Sequence, residues 1–146
     1  MDRKQFLKTC GFGCLAGASL LTLLQSCSTS QALNKDISGS DILVPITDFE
    51  FRNSEKTTYR KYIVIQNEIL KNPICVYRFS ETEYSALLMK CTHQGAGLEV
   101  FGDKLQCPAH GSEFSNKGVV ENGPANADLR RFPVRIENNI LKISLK

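Results

Sequence analysis

The hydrophobic positions of this chain form short runs separated by polar turns, from residue 42 to the C-terminus. Ile, Val, Tyr and Phe dominate the runs and Asn, Ser and Pro lie between them, as expected of β-strands and turns. In the last run Leu141, Ile143 and Leu145 alternate with a second set of side chains, as in a strand with two different faces. The predicted strands are residues 42–51, 59–66, 74–79, 84–90, 130–136 and 140–145.

This pattern predicts an all-β fold, an antiparallel β sandwich or barrel, without a long amphipathic helix. Two hairpins are expected within it. In one, the turn 137–139 joins the last two strands. In the other, Gly102-Asp103 reverses the chain between residues 98–101 and residues 104–107.

The N-terminal residues 1–26 have the pattern of a targeting signal and not of a fold. Arg3, Lys4 and Lys8 form a basic start, and the apolar run 11–24 that follows is too short to cross a bilayer comfortably. The start also resembles a twin-arginine export signal in which Lys4 replaces the second arginine. A general secretory signal is the alternative.

The targeting segment ends in Leu24-Gln25-Ser26-Cys27, which resembles the bacterial lipobox. The resemblance implies cleavage before Cys27 and lipidation of that cysteine; an uncleaved N-terminal anchor helix is the alternative. Residues 27–40 are polar and Ser-rich, which predicts a flexible tether to a domain spanning residues 41–146. We therefore expect an exported protein that is anchored to the membrane on its periplasmic side.

Length and charge narrow the classes of function. A chain of 146 residues allows one domain after the targeting segment, and an apolar fraction of 42% is ordinary for a globular protein. The formal net charge of +3 is too small for a surface that tracks nucleic-acid phosphates. No nucleic-acid partner is expected.

The chemistry of the chain is concentrated in two Cys/His blocks, Cys91-x-His93 and Cys107-x-x-His110. The chain has only two histidines, and both lie in these blocks. Two thiols and two imidazoles can hold either one tetrahedral zinc ion or a two-iron two-sulfur cluster. Zinc sites more often begin with two cysteines, which weighs against zinc but leaves both kinds of centre open at this point.

The blocks CTHQGA and CPAHGS resemble the two cluster-binding loops of the Rieske proteins, and the resemblance extends to Gly123-Pro124-Ala125 and Phe132-Pro133-Val134. It implies that Cys91 and Cys107 hold one iron and that His93 and His110 hold the other. It also implies a small cluster-binding subdomain, about residues 91–124, inserted into a larger antiparallel base. Gly111, Ser112 and Pro124 match family residues that surround the cluster.

Neutral imidazoles in place of thiolates make the cluster easier to reduce than in an all-cysteine ferredoxin. Quinol-oxidising members of the family add a disulfide between the loops, where this chain has Ala96 and Ala109, and a tyrosine where it has Phe114. Ser112 matches the serine that donates to a cluster sulfur in the family. Since such donors stabilise the reduced cluster, the sequence predicts an intermediate reduction potential.

The function implied is electron transfer, with redox proteins such as a cytochrome or the large subunit of an oxidoreductase as partners. The alternative is a Rieske subunit of an enzyme complex, either a quinol-cytochrome oxidoreductase or an arsenite-oxidase-like enzyme. A zinc-stabilised lipoprotein is a third possibility. Outside the two blocks the sequence contains no histidine for a hydrolytic site, which favours an electron-transfer protein or an electron-transfer subunit of an oxidoreductase over a catalyst by itself and leaves the enzyme question open.

The remaining cysteines have simple interpretations. Cys10 and Cys14 belong to the targeting segment and leave with it. Cys75 lies in an apolar predicted strand, which favours a buried free thiol. A disulfide-linked dimer through Cys75 is the alternative.

Overall fold

The computed structural model of the protein describes residues 32–53 and 56–146. The targeting segment, Cys27 and the first part of the predicted tether lie outside these residues. Within them, no helix has the length and apolar character needed to cross a membrane. The strands in chain order are β1 (Leu33–Asn34), β2 (Ile37–Ser38), β3 (Asp41–Pro45), β4 (Glu50–Asn53), β5 (Lys56–Tyr59), β6 (Tyr62–Gln66), β7 (Ile74–Arg78), β8 (Tyr84–Leu88), β9 (Glu99–Phe101), β10 (Lys104–Gln106), β11 (Glu113–Ser115), β12 (Val120–Asn122), β13 (Arg131–Phe132), β14 (Val134–Glu137) and β15 (Ile140–Ser144).

The described strands form three sheets and one separate hairpin. The central sheet has the order β1-β6-β7-β8-β13 and is antiparallel except for the parallel pair β1 and β6. The outer sheet, β14-β15-β3-β2, and the loop-bearing sheet, β12-β11-β10-β9, are both antiparallel. Strands β4 and β5 pair only with each other. The predicted all-β, Rieske-like antiparallel architecture is confirmed.

The central sheet is covered on both faces, and β7 shows this most clearly. Ile74 and Val76 pack in a core shared with the outer sheet, whereas Cys75 and Tyr77 pack in a second core shared with the loop-bearing sheet. The Tyr77 hydroxyl also donates a hydrogen bond to the Lys104 carbonyl of β10, at 3.2 Å. Because successive side chains of a strand point to opposite faces, an unbroken apolar run is what a strand between two layers requires.

The terminal hairpin forms, with a tighter turn and a shorter first strand than predicted. Glu137 pairs with Ile140, so the turn is Asn138-Asn139 alone, and both asparagines have positive φ, 52° and 63°. Such angles suit the right-handed twist of a two-residue hairpin. The predicted strand 130–136 is wrong in one respect: Pro133 divides it into β13 in the central sheet and β14 in the outer sheet. Proline has no N–H to donate, so the ladder breaks there.

Other predicted strands are also divided. A turn of 3-10 helix, Ile46–Phe49, interrupts the predicted strand 42–51 and buries Phe49, and residues 60–61 separate β5 from β6.

The predicted tether is wrong for its described part. β1 pairs with β6 and β2 pairs with β3, with the side chains of Leu33 and Ile37 packed against the core of the outer sheet. The Asn67 side-chain amide donates to the Lys35 carbonyl at 2.7 Å. Leu33 and Ile37 anchor this otherwise polar segment to the core, and its backbone pairs with strands at the edges of two sheets. The folded region therefore begins before residue 41.

Candidate metal centre

Two loops with the same backbone path lie side by side at one end of the loop-bearing sheet. In the first loop, residues 91–96, the Cys91 N–H donates to the Ala96 carbonyl at 2.8 Å and the Gly95 N–H donates to the Cys91 carbonyl at 2.8 Å. In the second loop, residues 107–112, the equivalent bonds join Cys107 with Ser112 at 2.8 Å and Gly111 with Cys107 at 2.9 Å. Gly95 and Gly111 both have φ of 76°, a left-handed conformation that glycine adopts without steric cost.

The hairpin of β9 and β10 brings the loops together. Lys104 pairs with Phe101, which leaves the predicted two-residue turn Gly102-Asp103 between them, and Gly102 has φ of 60°. The first loop precedes β9 and the second loop joins β10 to β11, so both lie at the end of the hairpin opposite its turn. The prediction that this reversal sets the two blocks side by side is confirmed.

The two loop cysteines are buried in one core. Cys91 is 2% exposed and Cys107 is 1% exposed, and both pack with Leu98, Leu105 and Phe114. No disulfide involves them: Cys75, Cys91 and Cys107 are all free thiols. Thiols held together in a water-poor pocket are suitable ligands for a soft metal centre.

Cys91 and Cys75 are equally buried but differ in acidity. Burial raises the pKa of the Cys75 thiol to about 12, and a side-chain hydrogen bond with Tyr77 offsets this only partly. Burial also acts to raise the pKa of the Cys91 thiol, but hydrogen bonds to its sulfur outweigh this effect and lower the pKa below its ordinary value. These hydrogen bonds come from the His93 backbone, the side chains of Cys107 and Ser112, and the Gln94 backbone. Metal ligation needs thiolate. Cys91 is thus prepared for it, whereas Cys75 is an inert core residue, as predicted.

The rings of the two histidines contact each other, although the histidines occupy different positions in their loops. The ring centroids of His93 and His110 are 5.0 Å apart, and the ring planes are nearly perpendicular, at 86°. His93 is partly buried, and its Nδ1 is a buried atom without a hydrogen-bond partner in the described part of the chain. His110 is exposed. A buried imidazole nitrogen left without a partner is unfavourable, and ligation by a metal would satisfy it.

The segment 125–127 supports both loops. The Ala125 N–H donates to the buried Ser112 hydroxyl oxygen at 3.0 Å, and the Thr92 hydroxyl donates to the Ala127 carbonyl at 2.6 Å. The segment follows a cis peptide bond between Gly123 and Pro124. Sequence reasoning selected Ser112 and Pro124 but missed Thr92 and Ala127. Thr92 stands between two predicted ligands, which is the only signal the sequence offered.

The donor set fits an iron-sulfur cluster. In residues 32–53 and 56–146, no group of three or more His, Cys, Asp or Glu side chains is arranged to hold a single metal ion. A two-iron cluster makes a different demand, because two thiolates and two imidazoles would hold it together. Two buried thiols, with a buried and unpartnered imidazole nitrogen nearby, meet that demand.

Comparison with known proteins identifies the family. The sequence model of the Rieske [2Fe-2S] domain matches residues 51–133, more than half of the chain and both loops. The chain belongs to the Rieske [2Fe-2S] domain family. Its cofactor is accordingly a Rieske-type 2Fe-2S cluster, which accepts and releases one electron when bound. Rieske proteins of this kind function in electron transfer.

Named relatives are similar to this chain over very different shares of its length. The cytochrome b6-f complex iron-sulfur subunit 2 of Nostoc sp. strain PCC 7120 is 35% identical over 60 residues, which are 40% of this chain and 34% of that subunit. The chain thus matches about a third of the length of that relative. The cytochrome b6-f complex iron-sulfur subunit of Trichodesmium erythraeum is 29% identical over 159 aligned positions, covering 97% of this chain and 83% of that subunit.

One solved structure is also similar to this chain. The cyanobacterial plasma membrane Rieske protein PetC3 from Synechocystis PCC 6803 superposes with a TM-score of 0.50 and 28% sequence identity. The match covers 57% of this chain and 86% of that chain.

Proposed function

We propose that Cys91 and Cys107 hold one iron of the cluster and that His93 and His110 hold the other. The observation that carries this assignment is the meeting of the two loops, with both thiols buried in one core and the two imidazole rings 5.0 Å apart. The lowered pKa of Cys91 supports thiolate ligation at that position.

In this assignment the surrounding residues have separate tasks. Leu98, Leu105 and Phe114 exclude water from the sulfur ligands. Ser112 is oriented by the Ala125 N–H and donates toward sulfur, which favours the reduced state. Gly111 lets the second loop take its left-handed turn, and the cis bond before Pro124 leads into the segment 125–127 that supports both loops.

The proposed role is that of a carrier of single electrons between redox partners. His110 is exposed, so electrons would enter and leave at the histidine edge, while the cysteine edge faces the core. We expect an intermediate reduction potential, because Ala96 and Ala109 leave the loops without a disulfide and Phe114 has no hydroxyl to donate.

Analysis of the purified protein tests this function. We expect iron and acid-labile sulfide in equal amounts, visible colour, and a rhombic electron paramagnetic resonance signal on reduction. A redox titration should place the potential between those of four-cysteine ferredoxins and quinol-oxidising Rieske centres. Colourless protein that contains zinc in place of iron would overturn the assignment.

The proposed location is the periplasmic side of a membrane, with residues 1–26 as signal and Cys27 as the lipidated residue. Support comes from the basic start, the apolar run and the lipobox-like ending of the segment. Expression of the full chain in a bacterium, followed by mass spectrometry of the N-terminal peptide, tests it. Lipid on Cys27, and release of a Cys27→Ala variant from the membrane fraction, are expected. An uncleaved N-terminus would favour the anchor-helix alternative.

A second candidate is a subunit of a membrane redox complex, and the named relatives favour it. Two of them are iron-sulfur subunits of the cytochrome b6-f complex. The alanines at positions 96 and 109 argue against the quinol-oxidising role within such a complex. Purification of an affinity-tagged chain from its native membranes separates the two candidates, since a stable complex would bring b-type haem with it. A lone carrier would not.

A further inference from the structure

A groove of about 550 Å³ opens beside the first loop. Its walls include Cys91 and His93 from that loop, together with Lys90, Ala127 and Arg130 from the flanking segments. A molecule seated in the groove therefore contacts the loop that carries two of the proposed cluster ligands. None of the functions assigned above uses Lys90 or Arg130.

The charged side chains that line the groove are of one sign. Lys90 and Arg130 both line it, and no aspartate or glutamate does. In the described part of the chain neither cation forms an ion pair with a carboxylate, whereas other exposed cations do, for example Lys61 with Asp103 and Lys117 with Glu83. The groove that His93 lines therefore carries two positive charges without a carboxylate partner in the described part of the chain.

The fold positions Arg130 and brings the stem of Lys90 close to the first loop. The stem of Lys90 lies across the first loop, since a Cβ on Gly95 would stand 3.1 Å from the Lys90 Cε. The Arg130 guanidinium lies 4.7 Å from the centre of the Phe132 ring and donates to the Leu145 carbonyl at 2.9 Å. Side chains that are already positioned lose less entropy on binding. The groove is therefore partly preorganised.

We propose that this groove docks an acidic face of the protein that exchanges electrons with the chain, with carboxylates of that face paired to Lys90 and Arg130. The inference rests on the proposed electron-carrying function. Opposite charges raise the encounter rate and orient the partner against the loop that carries His93. Lys90, Thr92, Gln94 and Arg130 of the groove are exposed, which suits a broad protein contact and not the enclosure of a small anion.

The test uses matched charge variants of the full chain. The double variant Lys90→Gln/Arg130→Gln removes both charges from the groove, and Lys90→Arg/Arg130→Lys keeps them. The control, Lys61→Gln/Lys117→Gln, removes the same charge elsewhere. Lys61 pairs with Asp103 in the β9–β10 turn, and Lys117 lies in the turn after β11, so both are at the ends of strands opposite the two loops.

The measurement is the stopped-flow rate at which each reduced protein is oxidised by two probe proteins, a plastocyanin with a strongly acidic surface and a lysine-rich cytochrome c. At low ionic strength we expect the groove variant to react with the acidic probe about three- to tenfold more slowly than wild type, the lower end of electrostatic steering. The charge-keeping and control variants should react with the acidic probe at rates within about twofold of the wild-type rate. Salt at physiological strength should shrink the difference, because screening then acts within about 8 Å.

Slowing with the acidic probe alone supports the docking site. Equal slowing with both probes, or equal slowing in the control variant, overturns it. Visible absorbance, the electron paramagnetic resonance signal and the reduction potential are recorded for each variant first. A wild-type protein without the iron-sulfur signal overturns the proposed function itself, whereas a normal signal with unchanged rates in the groove variant overturns only the docking site.

Discussion

The first loop and the second loop have the same main-chain hydrogen bonds but present different side chains. In both, the cysteine N–H bonds to the last carbonyl of the loop at 2.8 Å, and a glycine with φ of 76° precedes that residue. The histidine, however, is the third residue of the first loop and the fourth residue of the second. The main chain thus places the cysteines alike, and the position of each histidine is set independently by the sequence of its own loop.

The supports of the two loops differ in a similar way. Both are tied to the segment 125–127, but Thr92 donates to it from an exposed position, whereas Ser112 accepts from it in the core. A hydrogen bond lost at the surface can be replaced by water, and one lost in the core cannot. We therefore expect the buried Ser112 bond to contribute more to the free energy of unfolding than the exposed Thr92 bond does.

The largest effect is expected from removing either loop cysteine, because the two loops place both cysteines as cluster ligands. Cys91→Ala and Cys107→Ala should each abolish the cluster completely, because either change leaves one iron with a single thiolate. Iron content and visible absorbance of the purified variants measure this. Cys75→Ala is the matched control: it is equally buried in the same core but should keep the cluster, with a loss of about 1 kcal/mol in the free energy of unfolding. Cluster loss in that control would mean that core packing, and not ligation, explains the first result.

The next effect concerns the histidine positions, where the loops differ. His93→Ala and His110→Ala should each abolish cluster binding. Ala109→His combined with His110→Ala moves the second imidazole to the position used in the first loop. We expect no recovery of iron or of the rhombic signal in this variant, since adjacent residues of a loop direct their side chains differently. Recovery of iron and of the rhombic signal would show that the second loop can supply its imidazole ligand from either position 109 or position 110.

A smaller effect separates the two supports. Ser112→Ala leaves the Ala125 N–H without its acceptor in the core, at a cost of about 1–3 kcal/mol in unfolding free energy. It should keep the cluster and lower its reduction potential, because a donor toward sulfur is lost. Thr92→Val removes the surface support and should cost about 1 kcal/mol without changing the potential. Denaturant unfolding and redox titration of both variants measure the contrast. Equal reduction potentials for wild type and Ser112→Ala would show that the Ser112 hydroxyl does not stabilise the reduced cluster by donating toward sulfur.

The smallest effect tests the shared main chain. Gly95→Ala and Gly111→Ala each place a Cβ on a residue with φ of 76°, which costs about 1–2 kcal/mol. The two costs should be similar, with Gly95→Ala slightly larger because Lys90 Cε must move, whereas the Cβ at Gly111 meets nothing within 4 Å. Thermal unfolding of the two variants compares them. A much larger cost at one glycine would show that the loops are not equivalent in the folded protein.

The sequence by itself determined the local features of this protein. The two Cys/His blocks, the Gly102-Asp103 turn, the terminal hairpin and the burial of Cys75 all followed from residue types at short spacing, where turn chemistry and side-chain alternation act. The family assignment depended on the same short motifs. These signals are strong because each is complete within a few residues.

Only the tertiary structure decided the long-range features. It paired Leu33 and Ile37 with sheet edges, divided the chain at Pro133 between two sheets, and placed Ala125 and Ala127 against the loops. It also brought Lys90 and Arg130 to one groove. Each of these depends on a partner distant in sequence, and the energy of a contact between distant residues cannot be read from either residue alone.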